Sequence, residues 1–397
     1  MENRPEQPFQ NTLNNSSSGN QTFHGAQAFS QQGNSGRIAP GAPIVGTPVN
    51  PYAAGGVYTQ MPQMPYGYPY YGPYVDPNTL RLNIERKAVR RTANQIGLGL
   101  VLFEIASVII QIILMVVLQL FHRTDLFSDS VFLLLFNMGI TLIGFPAVAC
   151  FIARGENQKI SGTVSFGAPK RGAFWPAVMV GIGFCYVANV VTVLLQSNLS
   201  RLFPFASNDI DLPTGPWGFA LSVLSTAVFP ALLEELLFRG AIMGSLLKFG
   251  KGFALFTSAL IFGLVHGNLE QIPFAFMVGL VLGFAVLETE SIWTGVVIHF
   301  VNNLLSVVLE YIQLYGGENL TQAIYLLLLA SLIMLGFFGI YLISLKNKNI
   351  LKFKPTAHLS SAGQRFGWFS GSAAIIVFYV LIGLEVLMLQ LTVMISL

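Results

Sequence analysis

Residues 216–247 read PWGFALSVLSTAVFPALLEELLFRGAIMGSLL, an apolar stretch long enough to cross a lipid bilayer. A spanning helix needs about 20 mainly apolar residues. The ionisable residues within this stretch are Glu234, Glu235 and Arg239. An ionisable side chain inside a bilayer costs about 2.5–3.5 kcal/mol on insertion scales, so each one indicates a function. The segment therefore predicts a membrane helix that carries a polar site.

The composition of the whole chain is that of a membrane protein. Of its 397 residues, 53% are hydrophobic and 10% are charged, whereas a soluble domain has about 25% charged residues. Its two cysteines, Cys150 and Cys185, lie in apolar runs and provide neither a disulfide framework nor a cysteine-rich metal motif. This composition excludes a soluble enzyme and a nucleic-acid-binding protein.

Apolar segments predict an all-α fold, a polytopic membrane protein with eight to nine transmembrane helices. The fifth and sixth candidates are short for a bilayer crossing. The candidate spans are residues 96–121, 131–153, 174–196, 216–247, 253–266, 271–288, 292–312, 322–345 and 370–394.

These spans divide the chain into four parts. Residues 1–94 are rich in Pro, Tyr, Gly and Gln and are predicted to form a disordered cytoplasmic tail. Residues 95–346 form the predicted multi-span membrane domain. A basic cytoplasmic loop at 347–369 and a C-terminal transmembrane helix at 370–397 follow it.

The distribution of Lys and Arg predicts the orientation in the cell membrane, because cytoplasmic loops carry an excess of both. With the N-terminus inside and nine crossings, the C-terminus lies outside. No apolar stretch lies near Met1, so no cleavable signal peptide is expected. In this orientation the basic clusters all lie in the cytoplasm, at residues 81–91, 154–171, 248–251 and 346–365.

The fourth candidate span places its two carboxylates in different directions. Glu235 and Arg239 are four residues apart and share a helix face, so they can form an ion pair. Glu234 points about 100° away from that face. Because Arg239 can balance one carboxylate, Glu234 is the candidate base. The alternative is a charge cluster at a helix end that reaches the membrane surface.

Two histidines lie in neighbouring apolar segments. The fifth candidate span ends in FGLVH at residues 262–266, and the seventh contains HFVNN at residues 299–303. His299 and Asn303 are one helical turn apart and therefore face the same side. Either histidine could be a packing residue, but together with Glu234 they favour a shared polar cavity.

Three motifs in this order, EExxxR, FxxxH and HxxxN on separate membrane helices, resemble the CAAX protease and bacteriocin-processing (CPBP, Abi) family. Its members are intramembrane glutamic endopeptidases, also called type II CAAX prenyl endopeptidases. The resemblance implies a family-like core at about 215–312. It also implies a catalytic cavity among spans four, five and seven.

Carried over residue by residue, the resemblance implies the roles of the site residues. Glu234 and His266 would activate a water, and His299 and Asn303 would stabilise the oxyanion. Three further residues would shape or support the site: Glu235, Arg239 and Phe262.

This scheme requires no metal or other cofactor. Glu234, His266 and His299 are nevertheless types of residue that bind Zn²⁺, and zinc is the alternative. The HExxH pattern of many zinc proteases is absent from the sequence.

The expected function is an endopeptidase that cuts a peptide or membrane-protein substrate within the lipid bilayer. The resemblance leaves three substrate classes open, namely prenylated proteins, bacteriocin leaders and membrane proteins. The alternatives are a non-catalytic immunity or scaffold protein of the same fold and a proton-coupled transporter, whose intramembrane carboxylates would relay protons.

The topology can be tested with two reporter fusions. A reporter fused after Leu397 should lie outside the cell, and one fused at Lys354 should lie in the cytoplasm, because the last apolar segment is expected to cross the membrane. Paired enzymatic reporters active on opposite sides would measure this. If both fusions report the same side, the last segment does not span.

Overall fold

A computed structural model of the chain describes residues 76–156, 166–200, 212–346 and 358–396. In these ranges the regular structure is helical, and eight helices are long and apolar enough to cross a membrane. The predicted all-α polytopic fold is therefore confirmed. Most of the predicted tail and residues 347–357 of the predicted basic loop lie outside the described residues.

The helices are numbered here in chain order, and a short 3₁₀ turn at Thr124–Ser128 connects the first two. The helices are α1 Pro77–Leu120, α2 Ser130–Gly155, α3 Phe174–Leu199, α4 Gly215–Phe249, α5 Lys251–Leu264, α6 Gln271–Thr289, α7 Ile292–Gly316, α8 Glu318–Lys346, α9 Ala362–Ser370 and α10 Ala373–Ser396.

Helix α1 begins earlier than predicted. The tail was expected to reach residue 94, but the helix starts at Pro77, so that boundary is wrong. The Asp76 carboxylate accepts a hydrogen bond from the Thr79 amide, and a proline at the first helical position is already held at a helical φ. A capped start followed by strong helix-forming residues extends α1 through the basic segment.

Helix α5 is shorter than a usual transmembrane helix. A span was predicted at 253–266, but the helix has 14 residues, about 21 Å of length, against a hydrocarbon core of about 30 Å. It forms a hairpin with α6. Gly263 and Gly279 allow the two helices to approach closely, because a Cβ at either would lie 3.0–3.1 Å from the other helix.

Helices α1 and α10 pack side by side in the same direction. The Asn94 side chain accepts a hydrogen bond from the Ala374 amide, and Gly97 contacts the backbone at Ala374. Further along both helices, Glu104 lies near Glu385. Because the first and last helices are parallel, the described helices must cross the membrane an odd number of times. The eight long helices are an even number, so the short α5 counts as a ninth crossing.

A polar cluster outside the apolar segments also holds α1 to the chain that leads into α9. The Glu85 carboxylate accepts a hydrogen bond from the Ser360 hydroxyl at 2.8 Å, and it lies 3.3 Å from His358 Nδ1 and 3.6 Å from an Arg365 nitrogen. Burial and the charge of Arg365 lower the pKa of His358, and Glu85 opposes this effect. The cluster fixes the start of α10 beside α1.

Replacing Gly97 with valine should displace α10. A Cβ at position 97 would lie 2.7 Å from backbone atoms of residues 374 and 375, which no side-chain rotation relieves. Such overpacking costs about 1–3 kcal/mol, so Gly97→Val should lower the melting temperature in detergent by several degrees. Gly139→Val is the control, since a Cβ there meets no atom within 4 Å. Equal melting of the two variants would contradict the packing.

Candidate active site

Helix α4 departs from regular α-helical geometry on both sides of Glu234. Two segments, Val223–Val228 and Glu235–Met243, are π-helical, and the short α-helical segment Phe229–Glu234 lies between them. π-turns are rare and often occur at functional sites. Pro230 also lacks the amide hydrogen that a continuous α-helix would use. The backbone therefore changes from α-helical to π-helical geometry between Glu234 and Glu235, the two residues that carry the carboxylates.

Glu235 and Arg239 form the predicted ion pair. Glu235 Oε1 lies 2.7 Å from Arg239 Nη1, and the side chains are 0% and 1% exposed. Arg239 Nη2 donates a hydrogen bond to the Gly279 carbonyl at 3.1 Å, and the guanidinium lies 4.6 Å from the centre of the Phe262 ring. Arg239 thereby fixes α4 against the α5–α6 hairpin.

His299 on α7 contacts both carboxylates. Its Nδ1 lies 3.2 Å from Glu235 Oε1, and its Nε2 lies 3.8 Å from Glu234 Oε2. A carboxylate can only accept a hydrogen bond, so Nδ1 carries a proton in this contact. Four predicted site residues are thus in direct contact: Glu234, Glu235, Arg239 and His299.

His266 lies at the end of α5, one turn after Phe262. Its Nδ1 is 2.8 Å from the Phe262 carbonyl oxygen, which accepts hydrogen bonds and does not donate them. Nδ1 therefore carries the proton, and Nε2 is the atom that can accept one. The Phe262 ring lies edge-to-face with the rings of both His266 and His299, at 5.1 and 5.9 Å.

Asn303 lies one turn beyond His299 and joins α7 to α4. Its amide nitrogen donates to the Thr226 carbonyl at 2.9 Å, and its oxygen accepts a hydrogen bond from Asn302 at 3.1 Å. The Thr226 carbonyl belongs to the first π-helical segment. The structure thus places Asn303 beside the site and fixes the orientation of its amide.

Sequence reasoning missed two glycines that make room for the cluster. Gly295 lies one turn before His299, and a Cβ there would approach Glu235 Oε2 to 2.5 Å. Gly279 supplies the carbonyl that binds Arg239. The sequence does contain a signal for Gly295, because a glycine one helical turn before His299 leaves space on the same helix face. The role of the Gly279 carbonyl depends on how α6 packs against α4 and had no signal in the sequence.

At the candidate site, two carboxylate oxygens have no hydrogen-bond partner among the residues that the structure describes. Glu234 Oε2 and Glu235 Oε2 are both buried atoms. A buried carboxylate oxygen without a partner can accept a hydrogen bond from a bound water or a peptide amide. The Glu234 side chain is 17% exposed, so it is the carboxylate that an incoming molecule can reach.

The zinc alternative names three ligands, Glu234, His266 and His299. Within the described ranges, no group of three or more His, Cys, Asp or Glu side chains could hold a metal ion. Glu234, His266 and His299 all lie in those ranges.

The last helix reaches the turn that carries His266. Gly267 has a φ of +58°, and a Cβ there would lie 2.7 Å from the Glu385 carboxylate of α10. A residue with a side chain would be strained at this φ and would also collide with Glu385. Helix α10 is thus part of the wall beside the candidate site.

The fold and the cluster define a multi-pass membrane protein with a polar site between its helices. Residues 216–305 match the family described as type II CAAX prenyl endopeptidase Rce1-like. The resemblance predicted from the three motifs is therefore confirmed over that segment, which contains Glu234, His266, His299 and Asn303.

Two curated relatives are each similar to about a quarter of the chain. YdiL of Bacillus subtilis (strain 168), a candidate membrane peptidase, is 30% identical over 105 residues, 26% of this chain and 43% of YdiL. The membrane-embedded CAAX protease MroQ of Staphylococcus aureus (strain USA300) is 31% identical over 108 residues, 25% of this chain and 42% of MroQ. Each match covers less than half of the relative's length. No solved structure matches.

Replacing Arg239 with alanine should destabilise the fold. The substitution leaves the Glu235 charge buried without a partner, which costs about 3–5 kcal/mol. Arg239→Ala should therefore lower both the folded yield and the melting temperature in detergent. Arg123→Ala is the control, because Arg123 pairs with Asp125 on the exposed α1–α2 connection. Equal melting of both variants would show that the buried pair does not support the fold.

Proposed function

We propose that the chain is an intramembrane endopeptidase that hydrolyses a peptide bond in a membrane-associated peptide or protein. One observation carries this proposal: Glu234 and the Glu235–Arg239 pair meet His299 inside the segment that matches the endopeptidase family. Peptide hydrolysis needs a base for water and donors for the oxyanion, and this cluster contains both types of group.

The first step is the attack of water on the substrate carbonyl. Glu234 is the carboxylate with exposed surface and an unpartnered oxygen, so it is the general base. His266 assists through Nε2, which is free to accept a proton because Nδ1 donates to the Phe262 carbonyl. The water oxygen bonds to the carbonyl carbon, and its proton passes to the Glu234–His266 pair.

The second requirement is stabilisation of the negative oxygen that forms. His299 Nε2 and the second amide hydrogen of Asn303 are the donors. Since Nδ1 of His299 donates to Glu235, Nε2 can donate as well only if the ring carries two protons. The charges of Glu234, Glu235, Arg239 and such a His299 then sum to zero.

The tetrahedral intermediate collapses when the carbon–nitrogen bond breaks. The proton held by Glu234 moves to the leaving amine, and the products are a carboxylic acid and a new amino terminus. The acid then gives its proton to the amine, which leaves a carboxylate and an ammonium group. Each atom of the water is accounted for, so the step needs no oxidant, reductant or other co-reactant. The substrate lies in or on the bilayer, because the cluster lies between membrane helices. The relative MroQ is itself described as a membrane-embedded CAAX protease.

We also propose the orientation in the cell membrane. The N-terminus lies in the cytoplasm and the C-terminus outside. The basic segments before α1 enters the bilayer and before α10 support this orientation through the positive-inside rule. The parallel packing of α1 and α10 agrees with it, because both helices then leave the cytoplasm.

Replacing Glu234 with glutamine tests the base directly. The variant keeps the shape of the side chain but cannot accept the proton, so turnover should fall by about 10²–10⁴. KM should change little, and cleavage of a membrane peptide library read by mass spectrometry would measure both. Glu104→Gln is the control, an intramembrane carboxylate outside the cluster. If Glu234→Gln cleaves normally and Glu235→Gln does not, the two roles are exchanged. If both cleave like the parent, a scaffold or transporter function replaces this one.

Chelation tests the metal-free chemistry. Cleavage should survive a strong zinc chelator, because Glu234 and His266 activate the water without a Lewis acid. Metal analysis of the purified chain should find no stoichiometric zinc. Activity that disappears on chelation and returns on addition of Zn²⁺ would make Glu234, His266 and His299 ligands instead.

A further inference from the structure

The candidate site is closed on the side toward which α4 continues. After Glu235 and Leu236, every residue of α4 from 237 to 246 is buried. Phe238, Arg239, Ile242, Met243 and Leu246 are each at most 1% exposed. Neither water nor a peptide can approach Glu234 through this packed layer.

The site is open in the opposite direction. Glu234 retains 17% exposure, whereas the neighbouring His299 and Glu235 are buried. Thr226, whose carbonyl binds Asn303, has an exposed side chain, and so does Ser306 on α7. These two exposed polar residues lie toward the start of α4 and the end of α7.

A polar stripe on α7 continues from the site to the end of that helix. The spacing of three or four residues places these side chains on one face. Ser306, Glu310 and Gln313 in this stripe are exposed. The stripe consists of His299, Asn302, Asn303, Ser306, Glu310 and Gln313.

Such a stripe indicates contact with water. Exposed polar and ionisable side chains are costly against lipid, so in membrane helices they face the protein interior or a water-filled space. Helix α4 lies close to this face of α7 at Asn303. Toward the start of α4 and the end of α7, however, α4 contacts Tyr311 and Tyr315, which lie on another face of α7. The stripe beyond Asn303 is therefore uncovered by α4.

We propose that water and the substrate peptide reach the site along this stripe, from the membrane face at which α7 ends. This inference rests on the proposed endopeptidase function. The extended peptide lies along Ser306, Glu310 and Gln313, and the side chains of Ser306 and Gln313 bind its backbone. The carbonyl to be attacked then reaches Asn303 and His299.

The packing of the helices identifies this face. Helix α7 is antiparallel to α4, since the start of α4 at Gly215 meets Tyr315 near the end of α7. Helix α4 is parallel to α2, because Lys248 near the end of α4 pairs with Glu156, which follows the end of α2. Helix α2 is antiparallel to α1, since Gln95 meets Gly155. Helix α7 therefore ends on the face opposite the basic start of α1. With that start in the cytoplasm, the substrate is a secreted or membrane-anchored chain presented outside the cytoplasm.

Cysteine accessibility tests this route without requiring cleavage. In the full chain with Cys150 and Cys185 replaced by serine, single cysteines are introduced as Ser306→Cys and Glu310→Cys. Leu304→Cys is the matched control, because Leu304 lies at the same depth of α7 on the opposite face. Asp125→Cys and Lys251→Cys mark the two membrane faces, since both positions are exposed. The probe is a membrane-impermeant maleimide that adds a measurable mass.

In intact cells, Ser306→Cys, Glu310→Cys and Asp125→Cys should be labelled at least 10-fold faster than Leu304→Cys and Lys251→Cys. The proposal would be overturned if the two stripe positions were labelled only in inside-out vesicles, as Lys251→Cys is expected to be. So would equal, slow labelling of Ser306→Cys and Leu304→Cys in both preparations.

A cleavage assay on the labelled Ser306→Cys protein separates this inference from the proposed function. A bulky adduct at position 306 should block cleavage, and the same treatment of Leu304→Cys should not. Labelling as expected with no cleavage by the unlabelled chain would leave the route standing and overturn the endopeptidase function. Full cleavage by the labelled protein would overturn the route alone.

Discussion

Arg239 lies inside the bundle with its guanidinium on the Glu235 carboxylate, and both side chains are almost fully buried. Each charge would be costly there without the other, so the pair keeps α4, the α5–α6 hairpin and α7 in one arrangement. Arg239 binds the Gly279 carbonyl, and Glu235 binds His299. The catalytic geometry proposed here, with His299 facing Glu234, therefore depends on an ion pair that itself does no chemistry.

The sequence predicted the fold class and the Glu235–Arg239 pair, because both follow from short-range patterns. The four-residue spacing of Glu235 and Arg239 determines a shared helix face, and apolar length determines the spans. The rest depended on contacts between helices. The π-turns of α4 and the fit of Glu235 against Gly295 arise from packing, and the early start of α1 comes from a cap that lies outside the apolar segment.

Two helices outside the matched segment complete the structure around it. Helices α1 and α10 lie parallel and are joined by the close contact at Gly97 and by the Glu85 cluster. Helix α10 in turn places Glu385 against Gly267, the residue after His266. The family match ends at residue 305, within α7, so Glu385 adds to the wall a contact from a helix that this match does not cover.

The protonation of His299 reports its contact with Glu235 and can be measured without any substrate. The chain has five histidines, so ¹⁵N-histidine labelling and solid-state NMR in lipid can resolve them, with His299 assigned from the His299→Gln variant. This contact predicts protons on both ring nitrogens of His299 and a change in the Nδ1 signal in Glu235→Gln. An Nδ1 that carries no proton, or a signal that Glu235→Gln leaves unchanged, would contradict it.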